Sequence, residues 1–395
     1  MRIFYAQSGG VTSVINTTCA GLLKAAQKEN IEVLIGLNGI HGVFDNRFIS
    51  SKTLTSNDID LLSKTPGGSF GSCRYKVQES DHDKIISFIE QHHLNAFIYH
   101  GGNDSMDTCH KISELCKDKN IECLVIGLPK TIDNDLYGTD QCPGFGSSAK
   151  YLNVSFDEAS LDIASMCRDS TKVFILETMG RHAGWLAASC GLTQHSSHNH
   201  LLLIPEKSYQ IDDLAQRIQD HIHRSGFCTI SLSEGVKLPF SSGSENVFKD
   251  AFGHSQLGGI GFSLLKWLKD LLKIKSHLAV SDYLQRSAGH CMSKVDFEQA
   301  FSLGKNAVQA IKDKQNGVML AIKRESSVPY KWSIQYTPLS NVANKERLVP
   351  DEYLTSEHKL SRQGKEYFAP LIHGEVPLEW SEGLPVYWPH RLRRN

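Results

Sequence analysis

The stretch Pro129-Lys130-Thr131-Ile132-Asp133-Asn134-Asp135 follows directly on an apolar run from Cys123 to Leu128. A short, unbroken apolar run reads as a strand buried on both faces, as in a parallel sheet. A lysine and two aspartates therefore stand at a strand's carboxyl end. In an open α/β sheet that edge is where ligands bind, because loops converge there with helix N-termini whose free N–H groups favour anions. A second such edge lies just upstream. Ala96-Phe97-Ile98-Tyr99-His100 is another short apolar strand, and it empties into Gly101-Gly102-Asn103-Asp104-Ser105 ahead of a helical stretch from Met106. The glycines let backbone approach a phosphate closely, and Asn103 and Asp104 supply oxygens suited to a metal or to hydrogen bonds.

Outward from this pair the pattern keeps alternating. Ile3 to Ala6 reads as a first strand, turning through Ser8-Gly9-Gly10 into a helix over 12–28, and Ile31 to Leu37 as a second strand. Pro66-Gly67-Gly68-Ser69-Phe70-Gly71-Ser72 is a glycine-rich loop that delivers Arg74, and a helix over 82–92 leads into the central strands. Beyond Asp135, Gly138-Thr139-Asp140 and Pro143-Gly144-Phe145-Gly146-Ser147 punctuate a crossing into a second domain. There a long helix over 148–166 precedes a strand over 172–177, which ends in Thr178-Met179-Gly180-Arg181. Strands over 200–205 and 227–232 follow, the latter ending in Ser233-Glu234-Gly235. A Ser/Gly/Asn-rich excursion over 241–255 comes next, then an apolar helix over 260–272 and the stretch Asp282-Tyr283-Leu284-Gln285-Arg286-Ser287. A helix over 295–312 and a strand over 318–322 complete the regular part. Past Glu325, Trp332, Tyr336, Trp380, Tyr387 and Trp388 among scattered prolines predict a tail packed over the surface.

A chain of 395 residues suits two α/β domains. With 42 basic against 43 acidic residues there is no bulk attraction to nucleic acid or to an anionic membrane, so any phosphate site must be a local concentration of charge. The N-terminal apolar run is too short for a signal peptide, and no stretch approaches the roughly 20 apolar residues of a membrane helix. A soluble, cytoplasmic protein is expected. Ten cysteines without C-x-x-C spacing read as reduced thiols. Cys109, Cys116 and Cys123 at seven-residue spacing suit packing better than a metal, and His195, His198 and His200 suit a solvated loop better than a ligand set.

Gly101-Gly102-Asn103-Asp104-Ser105 together with Pro129 to Asp135 resembles the phosphofructokinase superfamily, and within it the pyrophosphate-dependent branch. The resemblance runs from Ser8-Gly9-Gly10 to about Lys323, with Met179-Gly180-Arg181, Glu234 and Gln285-Arg286 in family order. It implies two three-layer αβα (Rossmann-like) domains with mainly parallel sheets and an active site in the cleft between them. Residues 1–140 plus about 285–325 would bind the phosphate donor, 141–284 the sugar phosphate, and 326–395 would be an extension packed on the domains. The implied reaction moves a phosphoryl group from pyrophosphate to the C1 hydroxyl of fructose 6-phosphate with Mg²⁺, in a homodimer or homotetramer. By position, Gly10, Arg74, Gly102, Asp104, Ser105 and Lys130 would meet the donor and Asn103 the metal. Thr131, Asp133, Met179, Gly180, Arg181, Glu234, Tyr283 and Arg286 would meet the sugar phosphate, the last two on a strand ending in Gln285-Arg286.

Asp133 is the expected general base, Lys130 and Arg181 the charges on the transferring group, and Asp135 a residue that orients the loop or shares the metal's field. Donor choice is read from Asp104 and Lys130 together. ATP-using members have glycine at the first of these, which leaves room for the nucleotide, whereas a carboxylate there excludes it. Three departures stand out. Asn103 replaces a family aspartate, and Lys172 and His277 replace arginines that reach in from a neighbouring subunit. A looser grip on the acceptor's phosphate leaves sedoheptulose 7-phosphate open as an acceptor. For single residues a plainer reading stands beside the functional one: Arg74 as a surface arginine, Glu234 as a helix-cap partner. The competing classes are an ATP-dependent sugar kinase and a non-catalytic binding subunit. A dinucleotide oxidoreductase lacks its G-x-G-x-x-G.

Overall fold

The computed structural model describes residues 1–195, 198–240, 259–343 and 345–389. The excursion expected over 241–255 lies outside the described residues. In chain order the strands are β1 (Arg2–Gln7), β2 (Glu32–Gly36), β3 (Phe48–Ser50), β4 (Ala96–Gly101), β5 (Leu124–Pro129), β6 (Val173–Thr178), β7 (His200–Leu203), β8 (Cys228–Ser233), β9 (Ser276–Val280), β10 (Val318–Ser327) and β11 (Tyr330–Pro338). They build a seven-stranded sheet in the order β11-β10-β5-β4-β1-β2-β3 and a four-stranded sheet in the order β7-β8-β6-β9. Every pairing in the smaller sheet is parallel. In the larger one only the outer pairs β2–β3 and β10–β11 are antiparallel.

Successive strand residues point to opposite faces, so a strand covered on both sides must be apolar throughout. Ile3 and Tyr5 of β1, with Ile98 and Ile126, pack beneath the helices Ile15–Lys28 and Lys294–Lys312. Phe4, Phe97, Tyr99 and Val125 pack on the other face, against the helices His82–Gln91 and Asn103–Asp118. The first two helices meet at glycines. A Cβ on Gly304 would stand 1.8 Å from the Thr18 carbonyl, and one on Gly21 would stand 2.1 Å from that of Phe301. Nothing larger fits either position.

Two expectations are corrected. The strand of this region is Ser276–Val280, and Asp282–Ser287 is a short helix that follows it, so Gln285-Arg286 lie on a helical turn. The sequence beyond 325 is also more than a covering tail. β10 continues to Ser327 and β11 joins the sheet edge with Trp332, Ile334 and Tyr336 opposite Arg324, Ile322 and Leu320. Farther on, Leu202 N–H donates to the His358 carbonyl at 2.8 Å beside the smaller sheet, and Trp388 N–H donates to Thr65 Oγ1 at 2.9 Å beside the larger one. The final segment ties the two sheets together.

The long helix Phe145–Met166 starts between the sheets, and its N-terminus is capped from a distance. Asp296, 0% exposed, accepts from Gly144 N (3.0 Å), Ser147 N (3.0 Å) and Ser147 Oγ (2.6 Å). Burial raises its carboxyl to about 6, although the donors at the helix end work against that rise. Asp296→Ala leaves two buried backbone N–H groups unmet, at about 1–3 kcal/mol each. A fall in Tm of about 2–7 °C is expected by calorimetry, and an unchanged Tm would show that water replaces the carboxylate.

Candidate active site

Strand order reverses at β1: the chain leaves β1 toward β2 on one side and returns on the other with β4 and β5. The turns after β1 and β4 therefore face each other across the crevice where open α/β sheets bind ligands. Ser8 N–H donates to the His100 carbonyl (2.8 Å) and Lys130 N–H to the Gly101 carbonyl (2.9 Å), which holds the three turns in one rim. Gly9 takes φ 74° and donates its N–H to Cys73 O (2.9 Å), bringing the Arg74 loop to the same rim.

Three cations converge there. A Cβ on Gly10 would stand 3.0 Å from Arg286 Nη1 and 3.8 Å from Arg74 Nη2, and one on Gly9 would stand 3.4 Å from Lys130 Nζ. The Lys130 ammonium, 3% exposed, donates to the Gly10 carbonyl. Burial, then the neighbouring charges of Arg286 and Arg74, depress Lys130 to about 7. The side chain of Gly10 is missing where the guanidinium groups crowd in. This is a cradle for an anion with several negative charges.

On the far side of the cradle, Gly102 caps the helix Asn103–Asp118, so Asn103, Asp104 and Ser105 occupy its first turn. Ser105 is buried, its Oγ filling the space a Cβ on Gly101 would need (2.0 Å), and is thus a packing group beneath the turn. Among the described residues no group of three or more His, Cys, Asp or Glu side chains is arranged for a metal ion. Asn103 Oδ1, however, is buried without a hydrogen-bond partner. An unsatisfied oxygen in the first turn of this helix fits a hard cation that takes few protein ligands and keeps water and phosphate oxygens. The histidine trio does not gather: His195 Nδ1 meets Asp157 at 2.7 Å, while His200 is buried with Nε2 3.1 Å from Ser231 Oγ.

The loop after β5 carries the carboxylates. Asp133 N–H donates to Thr131 Oγ1 (3.0 Å), an Asx/Ser-Thr type turn that sets the side chain over the cleft. Burial raises the Asp133 carboxyl, opposed by the Thr131 hydroxyl and by the charges of Lys130, Arg181 and Arg286. Burial and the charge of Asp133 lift Asp135 to about 7. Facing them are the ends of β6, β8 and β9. Gly180 N–H donates to Glu234 Oε1 (3.3 Å) and Met179 N–H to Gln285 Oε1 (3.3 Å). Gly180 holds φ 132°, and a Cβ there would meet the Ala183 carbonyl and Ser233 Oγ at 2.6 Å each. Burial first, then Asp133, raises Glu234 to about 7, with Arg181 pulling the other way.

The helical turn at 282–287 sets Tyr283 and Arg286 three residues apart on one face, with the guanidinium 3.9 Å over the exposed phenol ring. Arg286, expected on the acceptor's phosphate, thus reaches across to Gly10. Lys172 is directed away from the cleft, its ammonium donating to Cys167 O and to Arg168 O (2.9 Å), and His277 is exposed on the edge strand β9. Residues 347 and 367, absent from the sequence reading, lie directly behind the Asp133 loop. Neither carries a local signal, since each is a single polar side chain in an irregular stretch.

Phosphofructokinase is the family whose model matches, over residues 2–311. The chain is 44% identical over 400 residues to the pyrophosphate--fructose 6-phosphate 1-phosphotransferase of Xanthomonas campestris pv. campestris, covering 98% of this chain and 95% of that enzyme. It is 42% identical to the protein of the same name from Halomonas elongata, covering 99% and 97%. Its structure superimposes on the crystal structure of the pyrophosphate-dependent phosphofructokinase from Marinobacter aquaeolei with a TM-score of 0.90 at 40% identity, over 99% of this chain and 96% of that one. Motif order, sheet topology and full-length similarity agree, and the chain belongs to the phosphofructokinase family.

Proposed function

We propose that the protein transfers a phosphoryl group reversibly from pyrophosphate to the C1 hydroxyl of fructose 6-phosphate. The observation that carries this reading is the convergence of Lys130, Arg74 and Arg286 on Gly9-Gly10, opposite the half-buried carboxylates of Asp133 and Asp135. A compact polyanion fills the cradle, and its presence favours the ammonium form of Lys130. Arg286 spans the cleft and neutralises the group in transit, while Glu234 and the Met179-Gly180-Arg181 turn hold the sugar phosphate. Asp133 takes the proton from the attacking hydroxyl, and a carboxyl raised by burial is a better acceptor for it. The remaining work is alignment and charge neutralisation. Asn103, with Asp104 beside it, would hold Mg²⁺, which shields the donor's charge when bound.

We assign residues 1–140 with about 285–325 to donor binding and 141–284 to acceptor binding, with β11 completing the donor-side sheet. A homodimer or homotetramer in the cytoplasm fits this assignment. Among the described residues no helix is long and apolar enough to cross a membrane. The test is a matrix of donors (pyrophosphate, ATP) against acceptors (fructose 6-phosphate, sedoheptulose 7-phosphate) with purified protein. Faster turnover with ATP than with pyrophosphate would overturn the reading.

A linked prediction concerns protons. Lys130 is depressed to about 7, so its charge is present below that pH and lost as pH rises through it. Pyrophosphate binding at pH 8 must then restore a proton. Calorimetry in two buffers of different ionisation enthalpy should show wild type taking up more protons than Lys130→Arg, by up to about one per site. Equal uptake would mean that Lys130 is already charged in the empty cleft.

A further inference from the structure

The loop that carries Asp133 is held in an uncommon backbone state by residues outside the family match. Asn134, 0% exposed, has φ 55°, the left-handed region that asparagine tolerates but does not choose without support. Support comes from behind. Arg347 Nε and Nη2 both donate to the Asn134 carbonyl, at 3.2 and 2.9 Å, and Nη1 donates to the Asp140 carbonyl. Arg347 N–H donates to the Asp135 carbonyl (2.7 Å), and Leu136 bridges antiparallel to Glu346. Tyr367 completes the clasp: its hydroxyl accepts from Asn134 Nδ2 (3.0 Å) and Arg347 Nη2 (3.2 Å) and donates to the Asp140 carbonyl. The guanidinium lies 4.3 Å over the Trp185 ring, and Trp185 Nε1 donates back to the Arg347 carbonyl at 2.9 Å.

We propose that Arg347 is a positioning residue for phosphoryl transfer: with Tyr367 it pins the Asn134 peptide and thereby fixes where the Asp133 carboxylate points. A guanidinium is the group for this task, because its planar fork serves two carbonyls at once while its face stacks on an indole. Every hydrogen bond it makes at the loop is to a backbone carbonyl, while its charge also opposes the rise of the Asp135 carboxyl, so its hold on the loop is chiefly geometric. Residues 131–135 also lie between the donor cradle and the acceptor turns, where a 1 Å shift of a reacting group can cost about a hundredfold in rate.

The inference rests on Asp133 being the proton acceptor, and two independent measurements separate it from that reading. Tyr367→Phe removes one hydroxyl and keeps the packed ring. Arg347→Lys keeps the charge and loses the fork. In both, kcat per folded molecule is expected to fall about tenfold or more, with KM for pyrophosphate and fructose 6-phosphate within about threefold of wild type. Hydrogen exchange of peptides covering 131–136 and 345–349 is expected to quicken by about tenfold in both variants, whatever the enzyme's activity. Should Arg347→Lys fail to fold, Tyr367→Phe decides. Unchanged exchange, or faster exchange with kcat per folded molecule as in wild type, overturns the proposal, as does a rise in KM with kcat intact. A wild type inert toward pyrophosphate overturns the functional reading instead, and the exchange measurement then decides whether the clasp holds the loop.

Discussion

Asp133→Asn is expected to lower kcat by about a hundredfold or more while KM for both substrates stays within a few-fold, since a positioned general base is worth about 10²–10⁴. The amide is isosteric and can keep the turn that Asp133 N–H makes with Thr131 Oγ1 at 3.0 Å. Binding is therefore spared and proton removal is not. The charge bookkeeping points the same way. Asp133 helps to raise both Asp135 and Glu234, so a neutral side chain there relieves like-charge repulsion in a buried site. The variant should melt at or above the wild-type temperature, which separates lost chemistry from lost fold. Steady-state kinetics beside a thermal melt checks both. Near-wild-type kcat would move the base to Asp135, the other carboxylate of the loop.

Asp104→Gly is expected to admit ATP. Asp104 sits in the first turn of the helix Asn103–Asp118, at the mouth of the cradle. A carboxylate facing an α-phosphate at roughly 4 Å, with an effective dielectric near 20, repels it by about 4 kcal/mol. That corresponds to about a thousandfold in affinity. Removing it should raise ATP affinity toward that factor and produce measurable ATP-dependent turnover, at a helix-propensity cost of at most about 1 kcal/mol. Lys130→Gly should instead damage the pyrophosphate reaction, and because both residues act on one ligand the double variant should not show the sum of the two effects. Titrating ATP against Asp104→Gly by activity and by binding is the check. If neither rises over wild type, discrimination lies in the Gly71-Ser72-Cys73-Arg74 loop.

Strands buried on both faces were readable because their chemistry is one-sided: Ala96–His100 and Cys123–Leu128 admit no other assignment in context. The turns that follow them gain meaning only together, since Gly101-Gly102 alone reads as an ordinary turn and it is the order of several such motifs along the chain that marks a family. Half-covered strands were harder. β3 has three residues, and β11 alternates Trp332, Ile334 and Tyr336 with polar neighbours, a period-2 signal that Lys331, Ser333 and Gln335 dilute. Ser276–Val280 is a five-residue edge strand whose residues are all exposed or half-buried, so it carries no continuous apolar run to mark it in the sequence. Arg347 and Tyr367 had no sequence signal at all. Their partners are backbone carbonyls more than 200 residues away, and a contact of that kind leaves no pattern along the chain.

That separation has a bearing on synthesis. A ribosome makes the Asp133 loop in the first third of the chain and the clasp at 347 and 367 close to the end, so at about 5–20 residues per second the loop waits some tens of seconds for its support. Both sheets except the β11 edge can be paired before residue 330 is added, yet the left-handed peptide at Asn134 is held only through its side chain, which accepts from Cys142 N–H at 2.9 Å, until Arg347 and Tyr367 arrive to meet its carbonyl and amide. The nascent protein thus gains its fold first and its catalytic alignment last, and a polypeptide released early would be compact but idle.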